Sequence, residues 1–241
     1  MKIVDATWEK RNLGVDCKEI FFEKGDNNIH FIEQLKGISA EYTVVKIPVS
    51  NIELSYFLQE NGFKFMEAIT QCYHKAELPV LPKIYNRFID NVTCDIMVKE
   101  DVEDLFQRIR NNLFVDDRVS LDPEFTIQQA NNRYVGWVND ELEKGSVLYK
   151  IIYKDKPIGF FNMRDKGNGN FFASIGGIYP EFQNGGFGVC MNYHQIQKAM
   201  KLGAKRIYTA FSSNNIGSYA IHLLMSYQME EQNYVFVRHL K

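Results

Sequence analysis

The sequence predicts a mixed α/β (α+β) chain built as a smaller strand–helix unit followed by a larger one. Three observations carry this expectation. Runs of β-branched and aromatic residues alternate with apolar residues at helical spacing along most of the 241 residues. Pro79 and Pro82 crowd a turn near residue 80, where the first alternation stops. The second part then holds a strand, a glycine-rich loop and a helix in direct succession between Ile175 and Leu202. The expected boundaries are 1–90 and 91–241.

Composition narrows the function classes. A hydrophobic content of 45% with 24% charged residues suits a soluble globular protein. A net charge of −2 gives no basic footprint for nucleic acid and no polybasic membrane patch. No apolar run approaches the roughly 20 residues of a membrane span, and the first residues lack an apolar segment of signal-peptide length. Cys17, Cys72, Cys94 and Cys190 are scattered without a C-x-x-C pair, so packed, reduced thiols and no metal site are expected. A cytoplasmic protein is the corresponding expectation.

In the first unit, residues 1–16 read as an irregular entry segment carrying Trp8. Residues 17–23 form a strand through Ile20, Phe21 and Phe22, and 29–35 a helix with Ile29, Ile32 and Leu35. Residues 42–49 are a β-branched strand, Ser50 or Asn51 caps a helix to about 60, and 65–75 form another strand. In the second unit, 93–98 is a strand, followed by a helix headed by Glu100 and Asp101, as its dipole favours. Residues 115–129 read as a long polar loop and 134–143 as a helix ended by Gly145. A hairpin follows over 147–163, turning at 154–157, and then a strand at 171–179. The remaining elements are a helix from about 186 to 202, a strand at 206–211, a helix at 216–225 and a strand at 233–239.

The glycine loop carries the chemistry. Pro180 closes the preceding strand because it cannot donate to a ladder. Gly185, Gly186 and Gly188 let the backbone turn tightly, and a helix with Val189, Tyr193, Ile196 and Met200 on one face begins there. The free N–H groups and positive dipole end of such a helix favour an anion. The dinucleotide fingerprint and the P-loop both require residues that are absent.

What stands there, Gln183-x-x-Gly186-x-Gly188, resembles the pyrophosphate loop of the GNAT superfamily of N-acetyltransferases. The order of elements from 92 to 241 is also that of the superfamily. Asn215 is followed at seven residues by His222 and at twelve by Tyr227, where the family has Tyr and then an aromatic in Leu-Gly-Phe. The resemblance implies acetyl-CoA as co-substrate and direct attack by an amine on its thioester. Gly177, Ile178 and Tyr179 would bind pantetheine through the backbone, and Gln183, Asn184, Gly185, Gly186, Phe187 and Gly188 the pyrophosphate. His222 stands where the family places its general acid. It can donate or accept a proton near neutral pH, or simply pack on its helix. Tyr219 and Tyr227 are alternative donors, and Asn215 contacts the cofactor or caps the helix.

For the acceptor, the family implies the region of Arg118, Tyr134 and Trp137. Arg118 would suit a phosphate, while Trp137 is equally a core residue. Glu181 can orient a water or stand solvated, and Cys190 lies on a buried helix face. Residues 45–63 echo the second unit: Asn51 precedes Phe63 by the spacing that separates Asn215 from Tyr227. The first unit therefore resembles a partial GNAT fold without the glycine loop. A truncated half before a complete one, with Trp8, Leu13-Gly14 and Tyr134-x-x-Trp137, resembles the TDP-fucosamine N-acetyltransferases of bacterial surface-polysaccharide synthesis. The acceptor implied is a small-molecule amine, best a nucleotide-linked 4-amino-6-deoxy sugar. A peptide N-terminus, a polyamine, an antibiotic amine and a non-catalytic acyl-CoA-binding module are the alternatives. Members of the superfamily often form homodimers, but no residue pattern identifies an interface.

Overall fold

The computed structural model describes residues 1–240, with Arg87 described by its backbone alone. In chain order the first elements are β1 (Lys2–Asp5), α1 (Thr7–Leu13), β2 (Cys17–Phe21), α2 (Asn28–Lys36), β3 (Tyr42–Pro48), α3 (Ile52–Glu60) and β4 (Lys64–Lys75). A short α4 (Asn86–Ile89) follows the proline turn. Then come β5 (Val92–Ile96), α5 (Lys99–Arg110), α6 (Ile127–Glu143), β6 (Val147–Tyr153), β7 (Lys156–Asp165), β8 (Asn170–Phe172) and β9 (Gly176–Ile178). The chain continues through α7 (Phe187–Lys201), β10 (Arg206–Ser212), α8 (Ile216–Leu224) and β11 (Gln228–His239). Among the described residues, no helix is long and apolar enough to cross a membrane.

Three local expectations are corrected. Residues 1–16 are ordered as β1, antiparallel to β2, and α1, whose end is fixed by left-handed Gly14. Helix α6 starts seven residues earlier than its apolar stripe suggests. Thr126 caps it, and Gln129 reaches back to the Thr126 N–H, a reciprocal box that satisfies both free amides. The expected strand at 171–179 is two strands, for a reason that bears on the site.

All the strands belong to one sheet in the order β1-β2-β3-β11-β4-β10-β8-β7-β6-β5, with β9 on β7. Residues 1–90 and 91–241 thus share a sheet, β11 being inserted between β3 and β4. Helices α2 and α3 pack with α7 and α8 on one face through the clusters around Leu54 and Ile196. Helices α1, α5 and α6 cover the other face around Val235 and Phe160.

The middle of the sheet is nearly symmetric. β3-α3-β4 and β10-α8-β11 contain seven, nine and twelve residues each, at one constant spacing along the chain. Asn51 and Asn215 cap the two helices through Leu54 N–H and Ser218 N–H. A pseudo-two-fold axis passes between Ile69 and Asn233: the pair Tyr73–Gln228 has its mate in Lys64–Val237, and Lys75–Arg206 in Tyr42–His239. Both bulges obey the same axis. One makes Met66 an extra residue in β4, between Val235–Glu67 and Phe236–Phe65.

The β8/β9 break is held by Asn162 of β7, which is fully buried. Its side-chain oxygen accepts from the N–H groups of Ser174 and Ile175, both at 2.9 Å, and its amide donates to Ser174 Oγ. A side chain thus takes the place of ladder bonds, and the strand turns away from its former neighbour. Asn162→Leu keeps the branched shape but strands two amides. It is expected to destabilise the fold by about 2–4 kcal/mol, at about 1–3 kcal/mol per orphaned buried group, as a lowered urea midpoint with an unchanged slope.

Candidate functional site

That break opens a wedge in the sheet. β10 pairs in parallel with β8 from Arg206 to Tyr208, and Ala173 N–H donates to Tyr208 C=O at 2.9 Å. Beyond this point β9 stays with β7 while β10 stays with β4, and no pairing joins β9 to β10. Tyr179 N–H donates to Ile158 C=O, so the odd residues of this strand face β7. By the two-residue alternation, Gly176 and Ile178 point their peptide groups into the wedge. Close approach of β9 requires Gly159: a Cβ there would lie 2.5 Å from Gly177 C=O oxygen.

The glycine loop lies at the open end. Tyr179 is buried, and a helical turn over Pro180–Phe182 leads to Gln183, whose amide donates to Ile178 C=O at 3.1 Å. Asn184 and Gly186 adopt left-handed conformations, and Gly186 directly precedes α7. Among the described residues, no protein group accepts from the N–H groups of Gly185, Gly186, Phe187 or Gly188. Gly185 and Gly186 are solvent-exposed. Consecutive free amides at the positive end of a fifteen-residue helix form a cradle suited to a phosphate or pyrophosphate. Gly188 serves packing instead. A Cβ there would meet Ile221 Cδ1 at 2.5 Å, so its absence lets α7 and α8 approach.

Arg108, not singled out in the sequence, secures the approach to this loop. Its guanidinium lies 4.0 Å from the centre of the Tyr179 ring and binds Asp104 and Glu181, each at 2.7 Å. Hydrogen bonding from Arg108 holds Glu181 below the usual carboxylate range. An (i, i+4) Asp–Arg pair on α5 is visible in sequence, but the third partner is seventy-three residues away.

On α8, His222 is buried, stacked on Phe211 with ring centres 4.9 Å apart and edge-on to Tyr227 at 4.6 Å. Its Nδ1 lies 2.7 Å from Ser218 C=O. That acceptor assigns the proton to Nδ1 and leaves the Nε2 lone pair free. Burial pushes the His222 pKa down, opposed by the bond to Ser218, and so favours the neutral ring. Tyr219 is half exposed and edge-on to Phe211, whereas Tyr227 is buried with its hydroxyl unpartnered among the described residues. Asn215 caps α8 with its side-chain oxygen. Cys190 is buried, and its thiol is pushed up to about 11 by that burial, a poor nucleophile.

Across the sheet, Phe114, Tyr134 and Trp137 stack in a ladder with centres 4.5 and 5.8 Å apart. Phe114 would touch a Cβ at Gly177 at 3.3 Å, which brings the ladder to the wedge strand. Arg118 stands elsewhere. It is buried and bound to Glu9 at 2.5 Å and Glu19 at 3.0 Å, while Arg133 binds Glu9 and Asp117, and Lys46 binds Glu19. The structure thus places Gly177, Ile178 and Tyr179 beside the loop and the aromatic ladder, and engages Arg118 in an internal ion cluster. Of the three, only Ile178 turns its peptide groups to the wedge, those of Gly177 and Tyr179 facing β7.

No family model matches the chain, and no curated protein matches it. Solved structures do. A GCN5-related N-acetyltransferase from Sphaerobacter thermophilus superposes with a TM-score of 0.61 at 9% identity, covering 99% of this chain and 75% of its own. A conserved protein of unknown function from Staphylococcus epidermidis gives 0.63 at 11% identity, covering 97% and 89%. A tandem GNAT protein from the clavulanic acid biosynthesis pathway gives 0.52 at 10% identity, covering 87% and 67%. At these identities the likeness concerns backbone architecture, and it spans both halves of the sheet. The chain therefore has the backbone fold of a GCN5-related N-acetyltransferase.

Proposed function

We propose that this chain is an acetyl-CoA-dependent N-acetyltransferase acting on a small-molecule amine. The observation that carries the reading is the wedge between β9 and β10 with the unpaired amides of Gly185–Gly188 at its mouth. The peptide groups of Gly176 and the N–H of Ile178 suit the amides of pantetheine, the Ile178 carbonyl being engaged by Gln183, and the loop suits its pyrophosphate. An amide of the wedge strand would stabilise the oxyanion formed on attack. Neutral His222 offers Nε2 as the group that accepts a proton from the attacking nitrogen and returns it to the departing sulfur. The aromatic ladder forms the acceptor side.

The first acceptor to test is a thymidine-diphosphate-linked 4-amino-6-deoxy sugar, since stacked aromatics suit a sugar or base face. Arg118, engaged by Glu9 and Glu19, does not contribute to that choice. The test is thiol release from acetyl-CoA against amino sugars, sugar nucleotides, polyamines, antibiotic amines and peptide N-termini, with acetyl-CoA calorimetry alongside. Selective turnover supports the reading and names the acceptor. Binding without turnover leaves an acyl-CoA-binding module, and absence of binding removes the loop assignment. His222→Phe is expected to slow transfer at least roughly tenfold with little change in acetyl-CoA affinity. Unchanged single-turnover rates would assign the ring to packing.

A further inference from the structure

We infer that Glu67, supplied by the N-terminal half of the sheet, is the general base that deprotonates the acceptor ammonium. This rests on the transferase reading and adds to it a residue outside the glycine loop, the wedge strand and α8.

Glu67 lies on β4 beside the bulge at Met66, opposite Val235. Val235 belongs to the cluster under α1 and α6, so Glu67 faces the side of the sheet that carries the aromatic ladder. The bulge re-aims its side chain, a use often found near active sites. Just beyond it, Ser213 N–H donates to Ala68 C=O at 2.8 Å, and Asn214 Nδ2 donates to Met66 C=O at 3.2 Å. These contacts fix Glu67 next to Ser212, the residue that ends β10 and one wall of the wedge. The opposite wall bears Gly177 and Phe114, against which Tyr134 stacks.

The carboxylate is 3% exposed, and its Oε2 has no hydrogen-bond partner among the described residues. A structural buried carboxylate would normally be paired. Arg118, Arg133 and Lys46 are already matched by Glu9, Glu19 and Asp117, so Glu67 is a fourth carboxylate beside three cations. The groups facing it are Arg118 and Asp117 from the preceding segment, Arg133 and Tyr134 from α6, and Ser212 from β10. Burial raises its pKa, partly opposed by Ser212 and Arg118. A base poised above the ordinary carboxylate range suits an ammonium donor.

One proton of R–NH3⁺ passes to Glu67, leaving R–NH2 and a neutral carboxylic acid. The nitrogen lone pair then forms the N–C bond to the thioester carbonyl, the C–S bond breaks with its electron pair on sulfur, and the second nitrogen proton neutralises the thiolate. Glu67 returns its proton to solvent. The net change converts ammonium and acyl thioester into amide, thiol and one released proton.

The experiment uses the full chain, acetyl-CoA and the best amine of the panel above. Glu67→Gln is expected to lower kcat/KM at pH 7 by about a hundredfold or more, with acetyl-CoA affinity within about twofold of the parent. Its melting temperature should not fall, because Oε2 has no hydrogen bond to lose among the described residues and glutamine keeps an oxygen that can accept from Ser212. The parent's rate should rise with pH through a group above the ordinary carboxylate range, and this limb should vanish in the variant. Formate should partly restore turnover to Glu67→Ala. Turnover and an acidic limb unchanged in Glu67→Gln would overturn the assignment and leave the transferase standing. Loss of activity accompanied by lost acetyl-CoA binding, or without formate rescue of a folded Glu67→Ala, would overturn it as well. A parent that acetylates no amine would overturn the transferase reading and this inference together.

Discussion

Replacing Arg118 by methionine is expected to destabilise the protein by about 3–5 kcal/mol, the range for removing one partner of a buried ion pair. The guanidinium is 6% exposed and bridges Glu9, which is fully buried, to Glu19. Methionine fills much of the volume but leaves Glu9 to Arg133 alone and Glu19 to Lys46. The penalty has a pH signature. Burial works against ionisation of Glu19, yet Lys46 and Arg118 outweigh it and hold its pKa at about 2. Because that value is depressed, the stabilisation is present above the unfolded value and is lost only as pH falls toward 2. In Arg118→Met, Glu19 loses a cation and protonates at higher pH, which relieves the strain. The difference in unfolding free energy from the parent should therefore be larger at about pH 7 than at about pH 4. Urea titrations at the two pH values measure it, and an equal difference at both would place the cost in packing rather than charge. Adding Glu9→Leu to the variant should recover part of the loss, since the stranded charge is then gone.

Gly159→Ala is expected to produce the second large effect, at the wedge. The new Cβ would sit 2.5 Å from the Gly177 carbonyl oxygen and 3.1 Å from Ile178 Cα. Both belong to backbone, so no rotamer change relieves the contact, and β9 must move away from β7. Overpacking of this kind costs about 1–3 kcal/mol, and the upper end applies where the neighbour is a paired strand. The displaced residues are those whose peptide groups face the wedge, so acetyl-CoA affinity should fall by at least about tenfold, or about 1.4 kcal/mol. Calorimetry on the variant checks this. Gly177→Ala is the control: its Cβ meets the Phe114 ring at 3.3 Å, and a side chain can yield. Equal losses of affinity in both variants would show that the spacing of β7 and β9 is not what shapes the site.

The regular part of this fold is readable because its signals are local. Asn51 and Asn215 announce two helices, the β-branched runs announce the strands around them, and glycines at 185, 186 and 188 announce the turn into α7. Thr126-x-x-Gln129 also announces a helix start, but the polar residues around it mask the signal. β1 is only four residues long and too short for an alternation pattern. Arg118, Asn162 and Glu67 illustrate a different limit. Each acquires its role from partners in another element, twelve residues away for Asn162 and 109 for Arg118 with Glu9. Sequence spacing could place Arg118 near Tyr134, but it could not reveal that Glu9 and Glu19 would already occupy the guanidinium. The glycines likewise share one motif while serving different ends: Gly186 supplies a left-handed turn and Gly188 a helix contact.

The place of β11 has a consequence for biosynthesis. Emerging last among the strands described, it nonetheless fills the gap at the centre of the sheet. Until residues 228–239 leave the ribosome, β3 and β4 each present a long open edge, the two edges that β11 will cover. Half a finished sheet with two open edges is a template for pairing with another nascent chain. The same complementarity lets the β11 of one molecule complete the gap of a second, since the receiving slot is shaped alike in both. Closure also joins strands far apart in sequence, which makes this step slow compared with formation of the local helices. Productive folding in the cell thus depends on keeping two emerging edges apart until the last strand arrives to lock them.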